Sequence, residues 1–191
     1  MVANPLFSLS LGDDAALILR TADLAEAYNE VLAVNNERLA RWEPWAAELP
    51  VLEETRAYLK ASAQAWLAGT ALPTVIAVPA EGGRRLVGSV GLRINADRQS
   101  GDIGYWIDAD FEGRGLARRA VSAVLDHAFG PLGLERVALH TEVANDRSRA
   151  LARRLGFTEE GVLRGAISFP ARGERRDEVV YGLLAEEWAR G

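Results

Sequence analysis

A strand, a short loop and a helix are predicted in Gly101-Asp-Ile-Gly-Tyr-Trp-Ile-Asp-Ala-Asp-Phe-Glu-Gly-Arg-Gly-Leu-Ala-Arg118. Two glycines stand at the junction, where the lack of a Cβ atom lets a ligand approach the main chain. The following N–H groups would point into one space at the positive end of the helix dipole, which suits a pyrophosphate. Arginine side chains could add full positive charges there, from Arg114, Arg118 and Arg119. The predicted cradle comprises Gly113, Arg114, Gly115, Leu116, Ala117 and Arg118.

Two other phosphate motifs do not fit this junction. The chain has no GxxxxGK[ST] sequence, which argues against a P-loop nucleotide hydrolase. The dinucleotide-binding GxGxxG pattern fails because Arg118 stands where its third glycine is required. A tight strand–helix turn that needs glycine for geometry alone is the other interpretation of the glycine pair.

Composition limits the class of protein. The chain has 191 residues, with 22 Lys and Arg against 27 Asp and Glu, hence a formal net charge of −5. One domain spanning 1–191 is expected at this length. The absence of cysteine excludes disulfides, a thiolate nucleophile and Cys-ligated metals, and is consistent with the cytoplasm. We expect no metal site, no membrane span and no direct nucleic-acid partner.

The hydrophobic pattern changes from helical to alternating and back along the chain. It predicts the order ββ-ααα-βββ-α-β-α-ββ, a mixed sheet with helices on both faces. The predicted elements are two strands within 6–20, helices from Thr21, over 35–41 and over 52–67, strands over 74–78, 86–94 and 102–108, a helix over 116–129, a strand over 136–143, a helix over 146–155, and strands over 157–169 and 178–184.

The loop motif Glu112-x-x-Gly115-x-Ala117 resembles the (Gln/Arg)-x-x-Gly-x-(Gly/Ala) signature of the GNAT N-acetyltransferases, with glutamate in place of Gln or Arg. Other blocks resemble the same family in the same order. They are Ile103-Gly-Tyr-Trp106, Asn145-Asp-Arg-Ser148 through Ala152-Arg-Arg-Leu-Gly-Phe157, and Asn35-x-x-x-Leu39-x-x-Trp42-x-Pro44-Trp45, the last similar to a marker of the RimL/RimJ branch.

The resemblance implies an α/β GNAT fold with a mixed, mostly antiparallel sheet of about seven strands. The sheet would split in a V between the strands over 102–108 and 136–143. Acetyl-CoA would be the co-substrate, with its pantetheine arm bonded to the main chain around Trp106 and Ile107. The side chain of Asn145 would also contact it, although a simple helix N-cap is the other interpretation. Dimers are common in this branch, so a homodimer is expected.

The resemblance also suggests how protons are handled. Ser148 would face the thioester sulfur and protonate the departing thiolate, since Ala152 stands where other branches carry a tyrosine. Asp102 shares a strand face with Gly104 and is the candidate base, directly or through water. A solvated aspartate in a tight turn and a local serine–backbone bond are the alternatives. Trp42 and Trp45 would form a wall of the substrate mouth or pack in the core.

The reaction implied is direct attack of a neutral amine on a thioester. A protein α-amine, with a pKa of about 8, costs about 1 kcal/mol to deprotonate at pH 7, against about 4–5 kcal/mol for lysine. Members of the RimL/RimJ branch acetylate protein N-termini, so the resemblance implies the α-amine of a protein N-terminus, such as that of a ribosomal protein, as the first acceptor. RimL-like enzymes carry an acidic residue about where Ile167 stands, which argues against an identical substrate.

Other functions stay open at this point. The acceptor could be a small-molecule amine, such as an antibiotic, a polyamine or an aminoacyl-nucleotide. The chain could instead hold CoA without turnover, or be an anion-binding structural domain. Neither His127 nor His140 is assigned a role.

Overall fold

The computed structural model describes residues 7–190, and within them eight strands form one mixed sheet. The strands are β1 (Ser8–Ser10), β2 (Ala16–Leu19), β3 (Ala71–Ala80), β4 (Gly83–Asn95), β5 (Ser100–Ile107), β6 (Arg136–Glu142), β7 (Thr158–Phe169) and β8 (Glu174–Leu184). The helices are α1 (Ala25–Leu39), α2 (Leu52–Leu67), α3 (Leu116–Phe129), α4 (Asp146–Arg154) and α5 (Ala185–Trp188). In the described part of the chain, no helix is long and apolar enough to cross a bilayer.

The sheet opens between two central strands. Its order is β1-β2-β3-β4-β5-β6-β8-β7, and among these strands only β5 and β6 pair in parallel. Their pairing starts at Ser100 with Arg136 and stops at Ile103 with Leu139. Strand β5 then continues for four residues and β6 for three without pairing to each other. The predicted V-shaped opening therefore lies beyond Ile103 and Leu139.

Helices cover both faces of the sheet, as predicted. Helix α3 is amphipathic and places Val121, Val124 and Leu125, all fully buried, against one face. Burying each such side chain contributes roughly 1.5–3 kcal/mol. The opposite face is covered by α1 and α2, whose buried side chains include Tyr28 and Leu59. On each face of the sheet, the region of the opening is therefore flanked by its own layer of helices.

The prediction of three helices before the central strands is wrong. Helix α1 runs unbroken from Ala25 to Leu39, so the helix expected over 35–41 is its last part. No glycine or proline interrupts it, and the polar Asn35 is satisfied inside it because Nδ2 donates to the Val31 carbonyl at 2.9 Å. Thr21 precedes a 3-10 turn and makes no side-chain cap.

Smaller differences concern the edges of the sheet. The eight strands match the order predicted from the hydrophobic pattern and exceed the about seven that the resemblance implies. Strand β8 begins at Glu174, four residues before its predicted start. The short helix α5 was not predicted. The first residue of the segment expected to contain two N-terminal strands, Leu6, lies outside the described residues, as do 1–5 and 191.

Candidate active site

The glycine loop before α3 leaves open space above its main chain. Gly113 and Gly115 have φ of 73° and 70°, a left-handed conformation that strains L side chains. A Cβ atom at either position would meet no heavy atom within 4 Å. The glycines are thus required by the backbone turn, and space for a ligand remains over both.

Six consecutive main-chain donors face this space. Within residues 7–190, the N–H groups from Gly113 to Arg118 donate to no protein acceptor, and no side chain caps α3. The side chain of Leu116 is buried in the core and that of Ala117 packs against it, so these residues offer the ligand only their main chain. Free donors at the start of a 14-residue helix suit a diphosphate.

The three arginines near the loop differ. Arg114 lies with its guanidinium carbon 4.8 Å from the centroid of the Phe111 ring, and neither it nor Arg118 forms an ion pair with residues 7–190. Arg119 donates two hydrogen bonds to the Asp14 carboxylate, at 2.6 and 3.0 Å, which lower the pKa of Asp14. The expectation that Arg119 adds charge to the cradle is therefore wrong, because its charge is paired with the β1–β2 turn.

The glutamate that departs from the family signature has two partners. Glu112 Oε1 accepts from Arg38 Nη1 at 2.9 Å, and its other oxygen accepts from Arg147. Arg38 also donates to the Ile107 carbonyl and to Asn35 Oδ1. Asn35 Oδ1 in turn accepts the Ala109 N–H at 3.1 Å. Helix α1 is thereby tied to the β5–α3 loop.

The role of Arg38 was missed at the level of sequence, although Asn35 begins the RimL/RimJ-like marker and Arg38 lies within it. The spacing of three residues that puts Asn35 and Arg38 on one helix face was the available signal. What it could not show was the loop that they contact.

The main chain of β5 presents alternate residues to the opening. Asp108 N–H donates to the Val87 carbonyl at 2.8 Å, so Asp108 and Trp106 face β4 while Tyr105 and Ile107 face the opening. The Ile107 carbonyl accepts a hydrogen bond from Arg38, so of the two main-chain groups of Ile107 the N–H remains for a ligand. Of the expected pair Trp106 and Ile107, only Ile107 therefore offers its main chain to a ligand in the opening.

The Trp106 indole lies on the α1–α2 face of the sheet. It packs edge-on against the Tyr28 ring, with centroids 5.9 Å apart and an interplanar angle of 70°. It thus forms part of the sheet surface on which α1 and α2 pack.

Ser148 has a tyrosine partner across the opening. Tyr105 Oη donates to Ser148 Oγ at 3.2 Å, and burial raises the pKa of Tyr105. Asn145 Oδ1 accepts the Ser148 N–H at 3.2 Å, so the N-cap of α4 is formed and its Nδ2 is left for another contact. The family resemblance puts a tyrosine at the position of Ala152, and the role of Tyr105, which comes from β5, was therefore missed.

On the α1–α2 face, the side chains of Asp102, His140 and Glu178 form a row of polar contacts. Asp102 pairs with Ala138 in the parallel register, and His140, two residues on, shares that face at the start of the opening. His140 Nε2 lies 3.5 Å from Asp102 Oδ1, and Nδ1 lies 3.1 Å from Glu178 Oε2 on β8. The Asp102 side chain is 46% exposed and thus reachable by a substrate.

A further carboxylate lies beside the two tryptophans expected at the mouth. Trp45 is 52% exposed and Trp42 is partly buried. Trp45 Nε1 donates to Glu43 Oε2 at 2.9 Å. Burial raises the pKa of Glu43, and the nearby charge of Glu178 adds to the effect. Glu43 was missed because it occupies an unspecified position of the motif.

Comparison with known proteins identifies the family. Residues 16–158 match the family described as the acetyltransferase (GNAT) domain, which is more than half of the chain. The chain is a GNAT acetyltransferase. It is 32% identical over 185 residues to the putative ribosomal N-acetyltransferase YdaF of Bacillus subtilis, covering 96% of this chain and 98% of the relative.

Two solved structures share this GNAT fold. The microcin C7 self-immunity acetyltransferase MccE, solved with acetyl-CoA and AMP, superposes with a TM-score of 0.82 at 25% identity, covering 91% of this chain and 94% of that one. The ribosomal L7/L12 α-N-protein acetyltransferase RimL, solved with coenzyme A, gives a TM-score of 0.86 at 22% identity, covering 93% and 98%. The second likeness concerns the fold alone.

As a GNAT acetyltransferase the protein uses acetyl-CoA, which supplies an acetyl group on an activated thioester. The loop fits the diphosphate of that molecule, since its donors lack acceptors in the described chain and its glycines leave the approach open. Among residues 7–190, no group of three or more histidine or carboxylate side chains has the geometry of a metal site.

Proposed function

We propose that the protein transfers the acetyl group of acetyl-CoA to the α-amine of a protein N-terminus, a ribosomal protein foremost, by direct attack in a ternary complex. The observation that carries the proposal is the arrangement at the opening. Free main-chain donors precede α3 on one face, and the Asp102–His140–Glu178 chain lies on the other. The name of the Bacillus subtilis relative, a putative ribosomal N-acetyltransferase, supports the acceptor class.

The co-substrate is held by the glycine loop. The N–H groups from Gly113 to Arg118 bind the diphosphate, and the side chains of Arg114 and Arg118 add charge. Asn145 Nδ2 contacts the pantetheine arm. The Ile107 N–H, which faces the opening, polarises the thioester carbonyl. Arg38 supports this donor by holding the adjacent carbonyl of the same residue.

Three groups move protons. Asp102 takes a proton from the acceptor ammonium, directly or through one water, and the neutral nitrogen then attacks the carbonyl carbon. As the carbon–sulfur bond breaks, Ser148 Oγ–H donates its proton to the departing thiolate, and the nitrogen gives up its second proton to solvent to leave the neutral amide. The Tyr105 hydroxyl, held 3.2 Å from Ser148 Oγ, returns a proton to Ser148 and regains one from solvent. Alignment of two bound reactants supplies much of the rate.

The carboxylates around the opening suit an ammonium substrate. Asp102, Glu178 and Glu43 lie on or beside the α1–α2 face and attract a cation before it is deprotonated. Trp42 and Trp45 form one wall of this mouth. An α-amine needs only the modest base that these groups provide, because its deprotonation at pH 7 costs about 1 kcal/mol.

A small-molecule amine is the second candidate acceptor. The MccE structure, at 25% identity, was solved with acetyl-CoA and AMP, which favours including aminoacyl-nucleotides among the compounds tested. The open acidic mouth contains no feature that requires a polypeptide.

The test is CoA release with two panels of acceptors. Purified protein and acetyl-CoA are incubated with N-terminal peptides of ribosomal proteins and with a library of polyamines, antibiotics and aminoacyl-nucleotides. We expect release with the peptides and, by mass spectrometry, acetylation at the α-amine. Acetylation of small amines only would contradict the acceptor class. Tight CoA binding without release across both panels would indicate a CoA-binding module.

We further propose one domain over 1–191 that works in the cytoplasm as a homodimer. The continuous sheet from β1 to β8 supports the single domain. Light scattering on the purified chain tests the dimer, and a monomer mass would contradict it.

A further inference from the structure

Arg20, immediately after β2, is a buried cation without a counter-ion. The residue is 8% exposed, and no carboxylate of residues 7–190 pairs with it. Its Nη1 donates to Tyr58 Oη at 2.8 Å, Ser89 Oγ at 3.3 Å and Tyr28 Oη at 3.4 Å. The guanidinium carbon lies 5.0 Å from the centroid of the Tyr58 ring. Neutral partners of this kind do not balance a buried charge, which is costly unless paired.

Two donors of Arg20 are unused. Nε is buried and has no acceptor, and Nη2 donates to no group in the described chain. Both lie on the same edge of the planar guanidinium, the edge that binds a carboxylate through two parallel hydrogen bonds. The tyrosines and the serine occupy the other end of the group.

The unused edge borders a gap in the side chains of the sheet. Nη2 lies 3.4 Å from the place where a Cβ of Gly91 would be. Gly91 pairs with Gly104 across β4 and β5, and a Cβ at Gly104 would meet nothing within 4 Å. Since paired residues of a sheet point to the same face, the two glycines leave a depression beside Arg20.

The depression adjoins the proposed base. Asp102 lies two residues from Gly104 on the same face of β5, a separation of about 7 Å along the strand. The face thus presents carboxylates at Asp102 and Glu178. The unbalanced guanidinium of Arg20 lies beside Gly91, one such step along the strand and one strand across from Asp102, which separates the two backbone positions by about 8 Å. An acceptor that reaches both carries an amine and an anion roughly that far apart.

We infer that Arg20 binds a carboxylate carried by the acceptor near its reacting amine, and so selects protein N-termini with an acidic side chain in the first few residues. The inference rests on the proposed function and specifies its substrate class. The α-carboxylate of a free amino acid fits less well, because bonds of about 1.5 Å keep it within about 4 Å of its own amine. A peptide without the anion leaves the buried cation unpaired, and that penalty produces the selectivity.

Matched peptides test the inference. Two C-terminally amidated peptides differ only at the second residue, Glu against Gln, and a third has Gln and a free C-terminal carboxylate. We expect the wild-type kcat/KM to be roughly tenfold or more higher for the Glu peptide, as for a hydrogen-bonded charge. Equal values for Glu and Gln would overturn the inference. Preference for the third peptide alone would overturn the acidic-side-chain assignment.

Variants show whether the preference comes from Arg20. Arg20→Gln should abolish the Glu preference while the kcat/KM for the Gln peptide and the affinity for CoA stay near wild type. Arg93→Gln is the control, because Arg93 is an exposed arginine opposite Asp102 on the same face. It removes the same charge and should keep the preference. If both variants lost it equally, long-range charge rather than Arg20 would be responsible.

Binding separates this inference from the proposed function. Calorimetry measures the affinity of the CoA-loaded wild-type protein for the Glu and Gln peptides. Tighter binding of the Glu peptide without acetylation would retain the inference and contradict the function. Acetylation of both peptides with equal affinities and rates would retain the proposed function and contradict the inference. If the peptides were not acetylated and also bound with equal affinity, both the inference and the proposed function would be contradicted.

Discussion

One guanidinium, that of Arg38, joins three parts of the active site. It contacts the carboxylate of Glu112, the amide of Asn35 and the carbonyl of Ile107. The first belongs to the loop before α3 and the last to the strand that faces the opening. The departure from the family signature at Glu112 is therefore explained by a carboxylate that accepts from arginines on α1 and α4.

Replacing Arg38 tests this connection. Arg38→Ala leaves Glu112, Asn35 and the Ile107 carbonyl without a shared partner, and we expect the free energy of unfolding to fall by about 1–3 kcal/mol. The affinity for CoA should fall with it, since the loop loses its tie to α1. Urea unfolding and calorimetry measure the two effects.

Arg41, three residues after Arg38 and just past the end of α1, provides the control for this prediction. Among residues 7–190, the Arg41 side chain pairs only with Glu37, and it is 65% exposed. Arg41→Ala should change the free energy of unfolding by about 0.5 kcal/mol or less and leave CoA affinity unchanged. Equal losses in the two variants would contradict a specific role for Arg38.

Ser148 and Tyr105 make a prediction about turnover. Ser148→Ala should lower kcat with little change in CoA affinity, because it removes the donor to the thiolate. Tyr105→Phe should lower kcat less, because the Ser148 hydroxyl is still present to protonate the thiolate and only the tyrosine hydroxyl that returns a proton to Ser148 is lost. Steady-state kinetics measure both, and a wild-type rate for Ser148→Ala would count against its role.

The pH profile tests whether Asp102 or Glu43, the carboxylate beside Trp45, acts as the base. A base acts when deprotonated, so the rate falls as the pH drops through its pKa. Burial raises the pKa of Glu43 above 4.5, so a limb caused by Glu43 would appear at a higher pH than for an ordinary glutamate. We expect Asp102→Asn to lower kcat and alter the acid limb while CoA affinity stays unchanged. Glu43→Gln should leave the limb in place, and a limb abolished only by Glu43→Gln would transfer the role to that residue.

At the scale of elements, the loop between β5 and α3 combines a left-handed backbone that suits glycine with open space above its main chain. The double change Gly113→Val and Gly115→Val puts β-branched side chains at φ near 70°, within the cradle. We predict loss of CoA binding with a sheet that remains folded, as measured by calorimetry and circular dichroism.

Two other glycines provide the control for backbone strain. Gly69 and Gly133 have φ of 70° and 62°, and a Cβ at either also meets nothing within 4 Å. Gly69→Val with Gly133→Val should cost comparable stability and keep CoA affinity. Retained affinity in the loop variant would place the diphosphate elsewhere.

At the scale of the whole molecule, the proposed reaction assigns one substrate to each of the two helical layers beside the opening. The cradle belongs to the α3 layer, whereas Asp102, His140 and Trp106 face the α1–α2 layer. The sheet between them opens where β5 and β6 stop pairing. Direct transfer across this gap requires no covalent enzyme intermediate, in agreement with a chain that lacks cysteine.

Binding at such a junction stabilises the whole fold. CoA at about 100 times its dissociation constant should raise the free energy of unfolding by about 2.7 kcal/mol, because it binds only the folded state. Thermal unfolding with and without CoA measures the rise. The Gly113→Val, Gly115→Val variant should show none, whereas the Gly69→Val, Gly133→Val variant should show the full effect.

The sequence by itself determined the features that depend on neighbours in the chain. The limits of α3 at Leu116 and Phe129 were predicted correctly, because an amphipathic period and a preceding glycine are local signals. The glycine loop and the N-cap at Asn145 are likewise local, and the structure confirms their geometry. The order of strands and helices followed from the same patterns, apart from the unbroken α1 and the short α5.

Only the tertiary structure decided which distant side chains meet. Parallel pairing of β5 with β6 brings Asp102 to His140, and antiparallel pairing with β8 adds Glu178. The contact of Arg38 with Glu112 likewise depends on how the helices pack on the sheet, as does the lack of a counter-ion for Arg20 within residues 7–190. Polar side chains carry no period that reports their partners, since strand register and layer packing are set by the apolar core.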